Sequence, residues 1–365
     1  MAFYGALAML TLVLGVAIKP SASDQRKKAY VVTVFALLIC LAALRSQTVG
    51  IDTKQFASAY VRIGTEGWAA FGLERYEPGF TAMCLFLNLF SDNYQLLLVV
   101  TAVLIYAPIG AMVRRYSVNA VLSCFLFITL NLFTGYMNVM RQGLSVAFIL
   151  LAGFALMKGK KGAFVLLILV ASLFHVYALA AMVLWPLSRV GFGKRCLLGY
   201  ALAFLVGVFG INLVIEFSQL LLRRQEIYDA AFMGSNYFGA VIQFAFAGVI
   251  SLITINYLHV LNKGAPVGGR EGLAFYQHSL MLWTFFMLLG IQIEVFSRLA
   301  YYFQIFAIFA IPLALTAPSA KERDIVQLVL CTVCFAYFVI IGVYRPEWQG
   351  VIPYVIDICN FVSMI

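Results

Sequence analysis

Apolar residues run through the chain in long stretches that short polar segments separate. A helix needs about 20 mostly apolar residues to cross the hydrocarbon core of a bilayer. The pattern therefore predicts an all-α polytopic membrane protein, a single transmembrane domain over 1–365 with about ten transmembrane helices. The predicted spans are 2–18, 29–44, 95–113, 119–135, 144–157, 196–215, 237–261, 273–293, 299–317 and 326–344.

Two further apolar stretches are too short for the crossings that the topology requires. Stretch 79–90 has about 12 residues and is expected to form a re-entrant or interfacial helix. Stretch 162–187 has basic residues on both sides, which favours a broken re-entrant hairpin with its tip at Phe174–His175. The alternative is one long tilted span. Non-helical backbone at membrane depth is tolerated only inside protein or beside water, so such a break often marks a binding site.

Composition supports the membrane assignment, and the charged residues indicate a topology. Apolar residues make up 64% of the chain and charged residues 11%, whereas soluble domains are about half apolar and a quarter charged. The net charge is +10, but the basic residues lie in short clusters between spans, as topology signals do and a nucleic-acid surface does not. Placing most clusters inside predicts a multi-pass protein of the cell membrane with both termini outside.

The basic residues left on the outer face are almost all arginines. Arginine presents a planar fork that grips two oxygens of a carboxylate or phosphate and stays charged, so this bias indicates anion binding. Simple solvation at the interface is the alternative, and it is favoured for Arg223 and Arg224. The outer basic residues are Arg45, Lys54, Arg62, Arg75, Arg141, Arg223, Arg224, Arg298 and Arg345.

The main outer loop, residues 45–78, is the most highly charged part of the predicted outer face. Its run 53–63 is expected to form an amphipathic helix on the membrane surface. Glu77–Pro78–Gly79 is a turn signal that could open the short helix after it, and a carboxylate at a helix start is stabilised. A solvated loop with loosely paired charges is the alternative reading, with Asp52 and Glu77 as ordinary surface acids.

Two polar features lie beside apolar spans. Asn138, Arg141 and Gln142 cluster at the outer mouth of the fifth span and offer several hydrogen-bond donors there, although an arginine in this place can also snorkel without further function. His175 lies within an apolar run, and ionisable residues at membrane depth are functional by default. Histidine titrates near neutral pH and can relay a proton, or it can simply bond a helix carbonyl.

A third feature lies between the predicted eighth and ninth spans. Glu294 and Arg298 are four residues apart and could pair with each other. Tyr302 follows, where interfacial tyrosines are expected, and aromatic rings also stack on sugars. His278 is read as interfacial. Three scattered histidines predict no metal site.

These features, in their order along the chain, resemble the EpsG family of exopolysaccharide membrane proteins, which is similar to the Wzy-type polymerases of O-antigen and capsule polysaccharides. The resemblance covers most of the chain. The motifs that carry it are Arg45 with Gly50–Ile51–Asp52–Thr53, then Tyr76–Glu77–Pro78–Gly79–Phe80, Asn138-x-x-Arg141–Gln142, Phe174–His175, and Arg298-x-x-x-Tyr302 leading to Pro312.

The resemblance implies a substrate and a reaction. Such proteins act on oligosaccharide repeat units carried on a polyprenyl diphosphate, and polymerases join these units into exopolysaccharide or capsule on the outer face of the membrane. The expected partners are this lipid-linked oligosaccharide, membrane lipid, and flippase and chain-length regulator proteins, with no nucleic acid and no cofactor. Arginines for the diphosphate, carboxylates and aromatic rings for sugars, and an apolar flank for lipid agree with this expectation.

The hypothesis for mechanism is metal-independent glycosyl transfer. Arginines would stabilise the negative charge that develops on the leaving diphosphate, and a base would take the proton of the attacking hydroxyl. The candidate catalytic residues are Arg141, His175, Glu77 and Asp52. The candidate diphosphate- and sugar-binding residues are Arg45, Arg298, Asn138, Gln142, Tyr76, Tyr302 and Arg62.

Three other classes of function stay open at this point. A transporter of lipid-linked sugar would need charge along a path across the whole membrane, whereas the charges lie in the outer half. Another membrane transferase, such as a sugar ligase or an acyltransferase that uses His175, is the second. A non-catalytic assembly partner of a polysaccharide synthesis complex is the third.

Overall fold

The computed structural model describes residues 1–73, 75–210, 237–264 and 267–364, and within them it contains helices and no β-strand. Short 3-10 segments join several helices. The α-helices are α1 Ala2–Ile18, α2 Asp24–Ala43, α3 Thr53–Glu66, α4 Ala70–Leu73, α5 Pro78–Asn88, α6 Gln95–Tyr116, α7 Ala120–Thr129, α8 Leu132–Asn138, α9 Met140–Met157, α10 Lys161–Ser172, α11 Leu184–Ser188, α12 Lys194–Phe209, α13 Tyr237–Gly264, α14 Val267–Gln292, α15 Glu294–Gln304, α16 Ala307–Ala314, α17 Ala320–Tyr344 and α18 Ile358–Met364.

The all-α membrane class is confirmed, but the predicted count of about ten spans is not. Within the described residues, α6, α9, α13, α14 and α17 are long and apolar enough to cross a membrane. The total rises to seven if each of two bent pairs, α7–α8 and α15–α16, is one span. The shortfall has a physical reason at the amino-terminal end, where α1 has 17 residues and α2 begins with charged side chains.

The sequence predicts one span over 119–135, and the structure has two helices there, α7 and α8, that meet at 49°. Asn131 stands at the bend with a φ of 61°. Asparagine visits this left-handed region more easily than most residues, so it can end one helix and start the next. All seven residues of α8 are buried, and α9 begins almost at once with Met140. Asn138, at the end of α8, and Arg141, in the first turn of α9, therefore lie close together at this junction.

The two short apolar stretches form short helices. Helix α5 has 11 residues, and α10 ends at Ser172 before a 3-10 segment, Val176–Val183. Phe174 and His175 lie in the intervening break. The break falls where the sequence predicts the tip of a hairpin, and its re-entry into a membrane stays a prediction.

Close contacts divide the chain into two compact units. Unit 1 is Met1–Leu179 with Gln327–Ile365, and unit 2 is Ala180–Val326. Each unit has its own internal packing and is described by itself, and the single transmembrane domain stays a prediction.

One end of unit 1, here called the loop end, is formed by residues 44–52, 91–95 and 345–360. The carboxyl-terminal segment joins the loop after α2 through main-chain hydrogen bonds. Ser46 N–H donates to Val355 O at 2.9 Å, and Gly50 N–H donates to Gly350 O at 2.8 Å. The hydroxyl of Tyr4, near the start of α1, donates to a carbonyl of the same segment at 3.1 Å. Residues from the beginning and the end of the chain therefore share one end of this unit.

The other end of unit 1, here called the basic end, gathers three of the predicted inner clusters. Arg114 and Asp24 form an ion pair at 3.0 Å, and Lys27 Nζ donates to Ser117 O at 2.7 Å. Lys158 lies beside the end of α6 as well. This separation of charge between the two ends is the arrangement that the positive-inside rule requires. Which end faces outward stays a prediction.

In unit 2, α12, α13 and α14 surround an apolar groove of about 670 Å³. Beside it, His278 is fully buried. Its Nδ1 lies 2.9 Å from the Tyr200 hydroxyl and its Nε2 lies 2.9 Å from Val190 O. Both ring nitrogens therefore have protein partners that compensate for burial, and the interfacial position of His278 stays a prediction.

Candidate functional site

Three segments that are far apart in sequence meet around one carboxylate in unit 1. Arg141, in the first turn of α9, forms an ion pair with Glu77 Oε2 at the start of α5. The N–H of Val176, the first residue of the 3-10 segment after α10, donates to Glu77 Oε1 at 3.3 Å. Glu77 is 6% exposed and Arg141 is 22% exposed. Both carboxylate oxygens are thus occupied, and part of the guanidinium remains accessible.

The local sequence explains why Glu77 stands where it does. Glu77 is the extended N-cap of α5, and Pro78 occupies the first helical position, where a missing N–H costs nothing. Gly79 N–H donates to Leu173 O at 2.8 Å. A Cβ added to Gly79 would lie 2.7 Å from the same oxygen, so only glycine allows α5 to approach the break this closely.

Aromatic rings cover the guanidinium of Arg141. Its central carbon lies 4.9 Å from the centroid of the Tyr76 ring and 5.6 Å from that of Phe56. Phe80 completes the group, with its ring centroid 5.3 Å from that of Tyr76. A cation over the face of an aromatic ring is stabilised electrostatically. The arrangement holds a charged fork against a surface of the kind that also stacks on sugar rings.

His175 is next in sequence to the residue that bonds Glu77. Its ring centroid lies 5.3 Å from that of Tyr177, and its side chain is half-buried. Its N–H donates to Ala171 O at 3.1 Å, which continues the last turn of α10. The main chain of His175 therefore directly precedes the N–H that bonds Glu77, and a catalytic role for its ring stays a prediction.

Asp52 and Asn138 form a second contact at the loop end. The N–H of Asp52 donates to Asn138 Oδ1 at 3.0 Å, which fixes the turn at Gly50 against the end of α8. Gly50 has a φ of 99°, a conformation that favours glycine. Asn138 and Gln142 are buried, and the side chain of Asp52 is half-buried. Asn138 thus holds the loop in place, and it lies three residues before Arg141, across the junction of α8 and α9.

Arg45 is 2% exposed and contacts main chain. Its guanidinium donates to Ala42 O in the last turn of α2, and to Met137 O in the last turn of α8 at 3.0 Å. Burial lowers the pKa of Arg45 below its ordinary value, although a guanidinium stays protonated in proteins. The carbonyl ends of two helices carry partial negative charge and compensate the cation. A role for Arg45 in substrate binding stays a prediction.

The remaining candidates are Arg298, Tyr302 and Arg62. Arg298 and Tyr302 belong to α15 of unit 2, where Tyr302 is fully buried and Arg298 is half-buried. Arg62 lies on the exposed face of α3. Arg223 and Arg224 are outside the described residues.

The sequence did not single out every part of this site. Phe56, Phe80 and the N–H of Val176 were not among the candidates, although Phe80 stands in the motif that contains Glu77. The helical pattern of α3, which buries Phe56, could have indicated the first of them. In the part of the chain that the structure describes, no three His, Cys, Asp or Glu side chains lie close enough to hold one metal ion.

Comparisons with known proteins place the chain in a family. A family model for the EpsG family matches residues 28–356, which include every motif residue named in the sequence. Searches of curated proteins and of solved structures gave no match. The apolar helices and the family together identify a membrane protein, and the family points to a role in exopolysaccharide biosynthesis. The chain belongs to the EpsG family.

Proposed function

We propose that the chain is a polymerase-type glycosyltransferase that joins polyprenyl-diphosphate-linked oligosaccharide units on the outer face of the membrane. The observation that carries the proposal is the ion pair of Glu77 and Arg141, which three separate segments hold beside a group of aromatic rings. Family membership supports the connection to exopolysaccharide.

Arg141 has the properties of a diphosphate-binding residue. Its guanidinium is partly exposed, and aromatic rings orient it. A guanidinium binds phosphate oxygens in the same forked geometry in which it binds a carboxylate. We expect an incoming diphosphate to replace the carboxylate of Glu77 on Arg141, because it carries more negative charge and presents several oxygens.

Displacement from Arg141 would make Glu77 available as a base. The anomeric carbon of one unit then forms a bond to a hydroxyl oxygen of the other, and its bond to the diphosphate oxygen breaks. The diphosphate leaves with the bonding electrons, and Glu77 accepts the hydroxyl proton. Arg141 stabilises the negative charge that develops on the diphosphate. Asp52 and His175 are the alternative bases.

The test is a reconstitution in lipid vesicles. We would supply the purified protein with the polyprenyl-diphosphate repeat unit of its host, with a chelator present, and separate the products on a gel. A ladder of multiples is the result expected of a metal-independent polymerase. We expect Arg141→Ala to lower polymer formation by about 100-fold or more, as the loss of a charge-stabilising donor does.

Arg345→Ala is the matched control. Arg345 also pairs with a carboxylate, that of Glu347, but on the exposed carboxyl-terminal segment. Its removal is expected to leave the ladder unchanged. Full polymer formation by a folded Arg141→Ala protein would contradict the proposed role of Arg141. Intact substrate with the folded unsubstituted protein would favour a transporter or an assembly partner instead.

A further inference from the structure

The basic end of unit 1 contains a cluster of side chains that the proposed reaction does not use. Helices α6 and α9 pack against each other and end side by side. Tyr116, the last residue of α6, stacks on Phe154 of α9 with ring centroids 4.0 Å apart and an interplanar angle of 12°. The two helices thus end on a shared aromatic pair.

Two cations lie against this aromatic pair. The guanidinium carbon of Arg115 is 5.5 Å from the centroid of the Tyr116 ring, and Lys158 Nζ is 5.0 Å from the same centroid. Both side chains are exposed. Two like charges held by one ring repel each other, and an anion between them would relieve the repulsion.

Within the described residues, the side chains of the neighbouring cations Arg114 and Lys27, unlike those of Arg115 and Lys158, bond to oxygen atoms of the protein. Arg114 pairs with Asp24 at 3.0 Å, and Lys27 donates to Ser117 O. Over the ranges that the structure covers, neither Arg115 nor Lys158 forms an ion pair with a carboxylate. The basic end therefore has two positive charges that no carboxylate of the described residues balances.

We propose that Arg115, Lys158 and Tyr116 bind the phosphate headgroup of an anionic phospholipid. The cluster stands at the ends of two membrane-spanning helices, at the depth where headgroups lie. Basic pockets between such helices bind anionic headgroups, and a tyrosine ring suits the same depth. The guanidinium supplies a fork for two phosphate oxygens and the ammonium a point charge.

This site is separate from the pair of Glu77 and Arg141. Arg141 lies in the first turn of α9, and Lys158 is the C-cap of that helix. At 1.5 Å per residue, the two positions are about 25 Å apart along the helix. A lipid bound here would contact the opposite leaflet from the proposed reaction.

The experiment is native mass spectrometry of the full chain in detergent, titrated with phosphatidylglycerol and, separately, with phosphatidylcholine. We expect the anionic lipid to bind more tightly, and Arg115→Gln/Lys158→Gln to lose about tenfold or more of its affinity. Lys19→Gln is the matched control, because Lys19 is an exposed predicted inner cation without an aromatic partner among the described residues. It should retain the anionic lipid.

Three outcomes would overturn the proposal. They are unchanged phosphatidylglycerol affinity in the double variant, equal binding of the two lipids, and displacement of the lipid by millimolar inorganic phosphate, which would indicate a soluble anion. Thermal unfolding of each variant checks the fold. If the double variant unfolds, the single variants Arg115→Gln and Lys158→Gln decide the question. Each should lower the affinity for phosphatidylglycerol and leave the affinity for phosphatidylcholine unchanged.

Discussion

At the scale of single residues, Glu77 is buried, and both of its carboxylate oxygens have partners. Arg141 takes one of its oxygens and a main-chain N–H takes the other. A buried carboxylate is costly unless it is paired and hydrogen-bonded, so each partner depends on the other. The pair therefore stabilises the resting site as well as supplying its proposed chemistry.

The coupling between these two residues can be measured. Glu77→Gln and Arg141→Met should each lower the free energy of unfolding by about 1–3 kcal/mol, because each leaves a polar partner unsatisfied. The double variant should lose less than the sum of the two. Unfolding in detergent across this double-mutant cycle provides the measurement. Strict additivity would show that the pair contributes no coupling energy.

Arg45 leads to a prediction about stability rather than substrate. Arg45→Met should lower the free energy of unfolding by about 3 kcal/mol, since two charge-assisted hydrogen bonds to helix ends are lost. The control is Arg345→Met, whose exposed ion pair should contribute less than about 1 kcal/mol. Unfolding midpoints of both variants give the comparison. A fully stable Arg45→Met protein that forms no polymer would instead support the substrate-binding role.

Much of this site could be predicted from residue types. Glu77 beside Pro78 and Gly79 indicates a helix start, and Arg141 beside Asn138 indicates a polar helix mouth. What the sequence lacks is a sign that these two places meet. Residue types also do not show where a main-chain N–H is directed, so the N–H of Val176 could not be predicted as a partner of Glu77.

At the scale of elements, the position of Glu77 depends on how closely α5 approaches the break after α10. The N–H of Gly79 bonds Leu173 O, three residues before Val176, which bonds Glu77 itself. These two hydrogen bonds join the start of α5 to both ends of the segment 173–176. Any change that separates the elements should also loosen the carboxylate.

Gly79→Ala tests this dependence. The added methyl group would lie 2.7 Å from Leu173 O, so α5 should move and polymer formation should fall by about tenfold or more, as misplacement of catalytic groups causes. Gly72→Ala is the control, because no atom lies within 4 Å of the added group. Initial rates in the reconstituted assay give the result. Equal activity of the two variants would contradict the proposed dependence.

The helical elements were easier to predict than their bends. The apolar pattern predicts a helix at 95–113, and the structure has one over Gln95–Tyr116. In the stretch 119–135, apolar residues stand on both sides of Asn131, so the pattern predicts one span there and does not reveal the bend. A single asparagine is a weak signal, because its left-handed conformation is a local choice that hydrophobic periodicity does not record.

At the scale of the whole molecule, the carboxyl-terminal segment completes the loop end of unit 1. Asp357 N–H donates to Leu44 O at 3.0 Å, and the Tyr94 hydroxyl donates to Asp357 Oδ2 at 3.1 Å. These contacts join positions that are distant in sequence, mostly through main chain. No residue pattern indicates them, so the sequence predicts a shared outer face but not the contacts of this carboxyl-terminal segment.

Removal of residues 346–365 should therefore loosen the loop after α2. We expect amide hydrogen exchange over 44–52 to accelerate by about tenfold or more, since the lost hydrogen bonds contribute about 1 kcal/mol each. Removal of 361–365 is the control, because it keeps the bonds made up to Asn360. Mass spectrometry of exchanged peptides gives the comparison. Equal protection in both proteins would show that the segment does not hold the loop.

The carboxyl-terminal segment also determines the stage of synthesis at which the loop end can be completed. The hydroxyl of Tyr354 bonds Leu41 O across 313 positions of sequence. The loop over 44–52 therefore lacks these contacts until residues 345–360, which follow α17, have left the ribosome. Under the proposed function, a chain released before this segment is made would have an incomplete loop end, so premature release should yield inactive fragments.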